Sequence, residues 1–162
     1  AKGLQYYIIY PYIVTPEGEK GCLFDQVKEL NHEVRALRNT LLALISRRVY
    51  HGGEVNDRFA QSWEEDPVVA KLEDGFSVGR FDDGYGNDYL LWQNRDFERA
   101  KTGCLSLRRP MRVYEVDKKD GRHRVLADRA SRLTLDFSPG DGRLLRVESP
   151  EESPCSLAYE FE

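Results

Sequence analysis

A chain of 162 residues, 40% hydrophobic and 32% charged, has the length of one domain and can bury about two thirds of its unfolded surface. This composition excludes a disordered chain, and no apolar run is long enough to span a bilayer, so the sequence reads as a water-soluble, cytoplasmic protein with no membrane partner. The formal charge of −4 hides an asymmetry: residues 1–94 carry 10 basic and 15 acidic side chains, residues 95–146 carry 14 and 8, and residues 147–162 carry 0 and 5.

Residues 4–14 (LQYYIIYPYIV) are dense in aromatic and β-branched side chains and end at Thr15-Pro16-Glu17-Gly18, which predicts a strand closed by a turn. Pro11 has no N–H for a ladder, placing that strand at an edge or a bulge. Next, Leu23, Val27, Leu30, Val34, Leu37, Leu41 and Leu44 recur at alternating spacings of four and three, a heptad seam with valine at a and leucine at d. The seam predicts one long amphipathic helix over about residues 24–50, within the segment 21–51, stopped by Gly52-Gly53. Phe24, Leu42 and Ile45 widen the apolar face as in a helix lying on a sheet, whereas Glu33 at g and Arg38 at the following e suit a parallel coiled coil. A homodimer through the helix therefore stands as an alternative to intramolecular packing.

Residues 54–66 read as a short second helix around Phe59 and Trp63, ended by Pro67. Beyond it, residues 68–72, 76–81, 89–93, 105–107, 111–116, 123–127, 133–137, 144–147 and 156–161 read as short strands between Asp, Gly, Pro and Ser clusters. Asp120-Gly121 and Pro139-Gly140-Asp141-Gly142 read as hairpin turns. With no repeat and no linker, the expectation is a single α+β domain over residues 1–162: an N-terminal strand, one long amphipathic helix, then a mainly antiparallel β meander or partly closed barrel over residues 67–162.

Chemistry-bearing motifs are few. Cys22, Cys104 and Cys155 make neither C-x-x-C pairs nor a disulfide-rich scaffold, and are expected as reduced, packed thiols. His32, His51 and His123 are isolated, and no G-x-S-x-G, P-loop or G-x-G-x-x-G string occurs, so no catalytic residue, metal or cofactor is assigned. The string Asp83-Gly84-Tyr85-Gly86-Asn87-Asp88-Tyr89-Leu90 resembles one unit of the glycine-rich nonapeptide of calcium-binding β-rolls. It departs at Asp83, where the repeat has glycine, and does not recur, so a plain Asp/Gly-rich loop is expected.

Arg108, Arg109, Arg112, Arg122, Arg124 and Arg132 crowd the expected meander, with Arg129, Arg143 and Arg146 beside them. A guanidinium fork suits carboxylate or phosphate. Glu115, Asp117, Asp128 and Asp136 alternate with the arginines, so cross-strand ion pairs are expected to consume much of the positive field, and Tyr114 is the aromatic that could stack a base. Three readings follow. The first is a non-catalytic binding or adaptor protein that engages a macromolecular partner, foremost a protein, through the arginine-rich β face or the helix seam. The second is a small-ligand-binding β-barrel protein or enzyme with Trp92, Tyr10 and Arg95 lining its pocket. The third is an RNA-binding domain using the arginine stripe.

Overall fold

The computed structural model describes Tyr6, residues 12–53 and residues 63–149. The strand expected at 156–161 lies outside these residues, as do Tyr10, Cys155, most of the strand expected at 4–14 and most of the helix expected at 54–66. The described end of that second helix, residues 63–66, is a turn in which the Asp66 N–H donates to the Trp63 carbonyl at 3.0 Å. The elements are α1 (Phe24–Ala43), β1 (Ile45–His51), β2 (Val69–Leu72), β3 (Phe76–Asp82), β4 (Asp88–Asn94), β5 (Lys101–Val116), β6 (His123–Phe137) and β7 (Gly142–Glu148).

The turn before α1 closes as its residues predict, with the Gly18 N–H donating to the Thr15 carbonyl at 2.9 Å and Val14 bridging Lys20. From Phe24 the heptad seam folds into one unbroken helix, but α1 ends at Ala43 and not near Tyr50. Leu44 turns extended (ψ 137°), and the following residues become β1, paired antiparallel with β3 from Ile45↔Asp82 to His51↔Ser77. The physical reason is local as well as tertiary. Ile45, Val49 and Tyr50 are β-branched or aromatic and favour an extended chain, and pairing with β3 carries Tyr50 into the core.

No residue of α1 is buried. The helix rests on the sheet through its C-terminal half, where Leu37 and Leu41 pack against Leu44, Tyr89, Val116 and Leu144. Leu30 stays 43% exposed. The Asp120-Gly121 turn touches the same helix: a Cβ on Gly121 would lie 2.3 Å from the Ala36 carbonyl oxygen, and its φ is +71°, so glycine is required on both counts.

Every strand pairing is antiparallel, and the sheet curls into a half-barrel in the order β1-β3-β4-β7-β5-β2, with β6 on the other edge of β5. Only part of it is a meander. β3–β4 and β5–β6 are hairpins, the second turning at Asp120-Gly121. β7 instead pairs β4 and β5, so Pro139-Gly140-Asp141-Gly142 joins two strands that are not neighbours and is not a hairpin turn. The segments 105–107 and 111–116 merge into β5, and 123–127 and 133–137 merge into β6. Alternation along β4 serves two cores: Leu90 and Trp92 enter the large cluster inside the curl, while Tyr89 and Leu91 face the smaller cluster beneath α1.

Candidate functional site

The long β5–β6 hairpin is interrupted near its middle, and the interruption builds the site. Ser106 pairs Arg132 and Met111 pairs Ala130, so residues 107–110 of β5 stand against Ser131 alone. Pro110, with no N–H to donate, sits inside this irregularity, where a strand tolerates it. On the other side of Met111 the excess lies in β6: Val113 pairs Ala127, leaving Arg112 against Asp128 and Arg129. Arg129 adopts φ +53°, the one non-glycine residue in the left-handed region among the described residues. Bulges of this kind bend a strand and re-aim its side chains.

The side chains so displaced line a cleft of about 630 Å³, at the end of the half-barrel where β4 begins and β7 finishes. Met111 and Val147 give it an apolar base, and Tyr85, 90% exposed, stands at its rim. Four arginines line it, Arg109, Arg112, Arg129 and Arg146, together with Asp88, Asp128 and Glu148. Arg112 Nε donates to Asp128 Oδ1 at 3.0 Å, and this guanidinium holds the Asp128 carboxyl below its ordinary value. Arg146 pairs with Glu148 and donates to Asn87 Oδ1 at 2.8 Å. Burial pushes the Asp88 carboxyl up, against the opposing pull of Arg80 Nη2 at 2.7 Å. Arg80 also faces the buried Asp66 carboxylate at 3.7 Å, so the cleft is tied to the half-barrel interior through a line of charges. Among the described residues, the guanidiniums of Arg109 and Arg129 have neither a hydrogen-bonding nor an ion-pairing partner, although Arg129 also helps hold the Asp128 carboxyl down through its charge and its backbone N–H.

The arginines singled out in the sequence do not form one stripe. Arg109 and Arg112 reach the cleft. Arg108 points elsewhere and closes the 63–66 turn, donating to the carbonyls of Asp66 (3.0 Å), Trp63 (2.7 Å) and Glu64. Arg124 is held by Asp117 and Asp120, each at 2.9 Å, while Arg122, its side chain 82% exposed, lies 3.8 Å from Asp120. Arg132 donates to Cys104 Sγ at 2.9 Å, and Glu115 and Asp136 are taken instead by Arg143 and by Thr102.

The residues expected to line a ligand pocket are likewise apart. Trp92 is fully buried against Phe137 and Phe76, ring centroids 4.8 and 5.9 Å away, so it fills the half-barrel. Arg95 donates to the Gly52 carbonyl at 3.1 Å and borders a shallow depression with Phe97 and Lys101. The loop at residues 83–87 uses its own acid: Asp83 accepts from the N–H groups of Tyr85 (2.9 Å) and Asn87 (3.2 Å) and from the Asn87 amide (2.6 Å). That closes an Asx-type turn and presents Tyr85 to the cleft.

Asp88, Arg129, Arg146, Glu148 and Tyr85 therefore join Arg109 and Arg112 in a place that neither spacing nor alternation marks; Pro110 beside Arg109 is the sequence's one sign of an irregular strand there. Among the described residues no group of three or more His, Cys, Asp or Glu is arranged to hold a metal ion, and no helix is long and apolar enough to cross a membrane. Comparison of the chain with protein-family models, with curated proteins and with solved structures finds no match.

Proposed function

We propose that this chain is a non-catalytic binding protein that engages an acidic protein partner through the cleft between the two bulges of β5 and β6. One observation carries the reading: Arg109 and Arg129 line a 630 Å³ cleft, and neither guanidinium has a carboxylate within ion-pairing distance among the described residues. An unpaired guanidinium fork on a shaped surface gains a charge-assisted, two-pronged hydrogen bond when an anion arrives, and exposed pairs such as Arg124 with Asp117 gain nothing comparable. The rim at Tyr85, 90% exposed, adds contact area of the kind that anchors interfaces.

The test uses a defined acidic probe, a glutamate-rich peptide with a lysine-rich one as control, titrated against the protein and its Arg109→Gln/Arg129→Gln variant. The acidic peptide should bind, weaken with added salt, and lose about tenfold or more in affinity in the variant, as for a charge-assisted contact. Equal affinity in both proteins would remove the cleft from the interaction. A second reading has one observation in its favour, since Tyr85 at the mouth of a cationic cleft could stack a base. Tighter binding of single-stranded RNA than of the acidic peptide, lost on Tyr85→Ala, would replace the protein-partner reading with the RNA one.

A further inference from the structure

The ion pairs around the cleft determine which anion fits it. Each acid at its wall pairs with an arginine: Asp128 with Arg112 at 3.0 Å, Glu148 with Arg146, and Asp88 at 2.7 Å with Arg80, which also faces the buried Asp66 at 3.7 Å. Arg109 and Arg129 are left over among the described residues, and they line the same cavity. These two guanidinium forks therefore have no carboxylate within ion-pairing distance among the described residues, although the charge of Arg129 also acts through space on Asp128. A single carboxylate has two oxygens, enough to engage one fork in a two-pronged bond. A phosphate monoester, carrying about −1.5 to −2 charges at neutral pH and three acceptor oxygens, has acceptors for both forks.

The backbone supports the same assignment. Arg129 is held at φ +53° by the register shift of β6, a conformation unfavourable for a residue with a Cβ and one that persists where the surroundings impose it. Arg109 is presented by the opposing irregularity of β5, beside Pro110. Two bulges thus aim two arginines at one cavity of 630 Å³, spacious enough for a phosphorylated side chain and part of the chain that carries it.

We infer that the cleft is a receptor site for a phosphate monoester carried on a side chain of the protein partner, with Arg109 and Arg129 as its two ligands. This rests on the acidic-partner reading above and narrows it to one chemistry.

The experiment measures binding of degenerate peptide pools that share a central phosphoserine, glutamate or serine, with inorganic phosphate as a separate ligand. The phosphoserine pool should bind about tenfold or more tightly than the glutamate pool. Arg109→Gln and Arg129→Gln should each lower phosphoserine affinity by about tenfold, and Arg124→Gln, whose side chain is occupied by Asp117 and Asp120, should leave it unchanged. Arg109→Gln alters no left-handed residue, so it keeps the test valid if the Arg129 variant folds poorly. Equal binding of the phosphoserine and glutamate pools, with both lost in Arg109→Gln, would leave the acidic-partner reading standing and overturn the phosphate inference. Inorganic phosphate binding as tightly as the phosphoserine pool would overturn it too, by showing a site for free phosphate. Absence of binding by either charged pool would sink both.

Discussion

Tyr50 and Asp66 meet in the interior of the half-barrel, where the Tyr50 hydroxyl donates to the Asp66 carboxylate. Both are essentially inaccessible to solvent, at 0% and 1% exposure. The other Asp66 oxygen accepts the N–H groups of Val68 (2.8 Å) and Val69 (2.7 Å), so one buried carboxylate starts β2 and ties it to β1. Burial and the neighbouring carboxylate both push the Tyr50 hydroxyl up, which keeps it protonated and able to donate. Tyr50→Phe should lower stability by about 1–3 kcal/mol in urea unfolding, since it leaves a buried acceptor without its partner. A loss under about 0.5 kcal/mol would show that the hydroxyl contributes little.

Arg108 and Arg124 are both exposed arginines near bulged or turning backbone, yet they should behave differently. Arg108 closes the 63–66 turn through three backbone carbonyls, and Arg108→Ala should cost about 1.5–3 kcal/mol, the range for hydrogen bonds to a charged group. Arg124 is an exposed ion-pair partner of Asp117 and Asp120, so Arg124→Ala should cost less than about 1 kcal/mol. The same denaturation series reads both, and equal losses would contradict the structural role given to Arg108.

From the half-barrel core outward along the helix seam, leucine truncations should show a gradient. Leu90, at 0% exposure, lies in the main core, and Leu90→Ala should cost about 2–5 kcal/mol. Leu37, half-buried against the small cluster beneath α1, should cost about 1–2 kcal/mol, and Leu30, 43% exposed, less than about 0.5 kcal/mol. A loss at Leu30 as large as at Leu37 would indicate that something covers the outer seam in solution, and the sedimentation behaviour of the protein would then identify a second copy.

That gradient also shows how far the sequence could be read. The start of α1 and its unbroken course were legible because heptad spacing over Leu23 to Leu41 admits few other local structures. Its end was not, because Leu44 and Ile45 continue the apolar pattern while β1 is decided by pairing with β3, a partner distant in sequence. β3 and β4 were legible from composition and from the Asp/Gly loop between them. The cleft was not, since it depends on register shifts between β5 and β6 that bring Arg109, Arg129 and Arg146 together, and alternation along each strand assumes a regular ladder.

Acid should weaken the fold partly through Asp82. The Arg47 guanidinium holds its carboxyl below the ordinary value of 3.8, outweighing the opposing effect of desolvation. A carboxyl whose folded value is depressed contributes stability that is present above the unfolded value and disappears as the pH falls through the folded one. Between about pH 5 and pH 3, Asp82→Asn should therefore lose less stability than the parent, while starting lower at neutral pH. Parallel pH profiles for the two proteins would exclude the Arg47–Asp82 pair as a contributor.

The left-handed conformation of Arg129 allows stability and binding to be separated at a single residue. At φ +53° a side chain with a Cβ costs about 1–2 kcal/mol relative to glycine, whereas glycine adds about 0.5–1 kcal/mol of entropy loss on folding. Arg129→Gly should consequently leave stability within about 1 kcal/mol of the parent, with relief of strain offsetting the added entropy. Arg129→Val should be the harmful change, losing about 2 kcal/mol or more, because a β-branched residue is the least tolerant of positive φ. Both substitutions remove the guanidinium, so both should weaken binding of an anionic peptide by a similar factor despite their different stabilities. Urea unfolding and peptide titration on the two proteins measure the two effects independently. If Arg129→Gly were instead strongly destabilised, the guanidinium would be holding the bulge together; if it bound the peptide as the parent does, the bulge would not be presenting Arg129 for recognition.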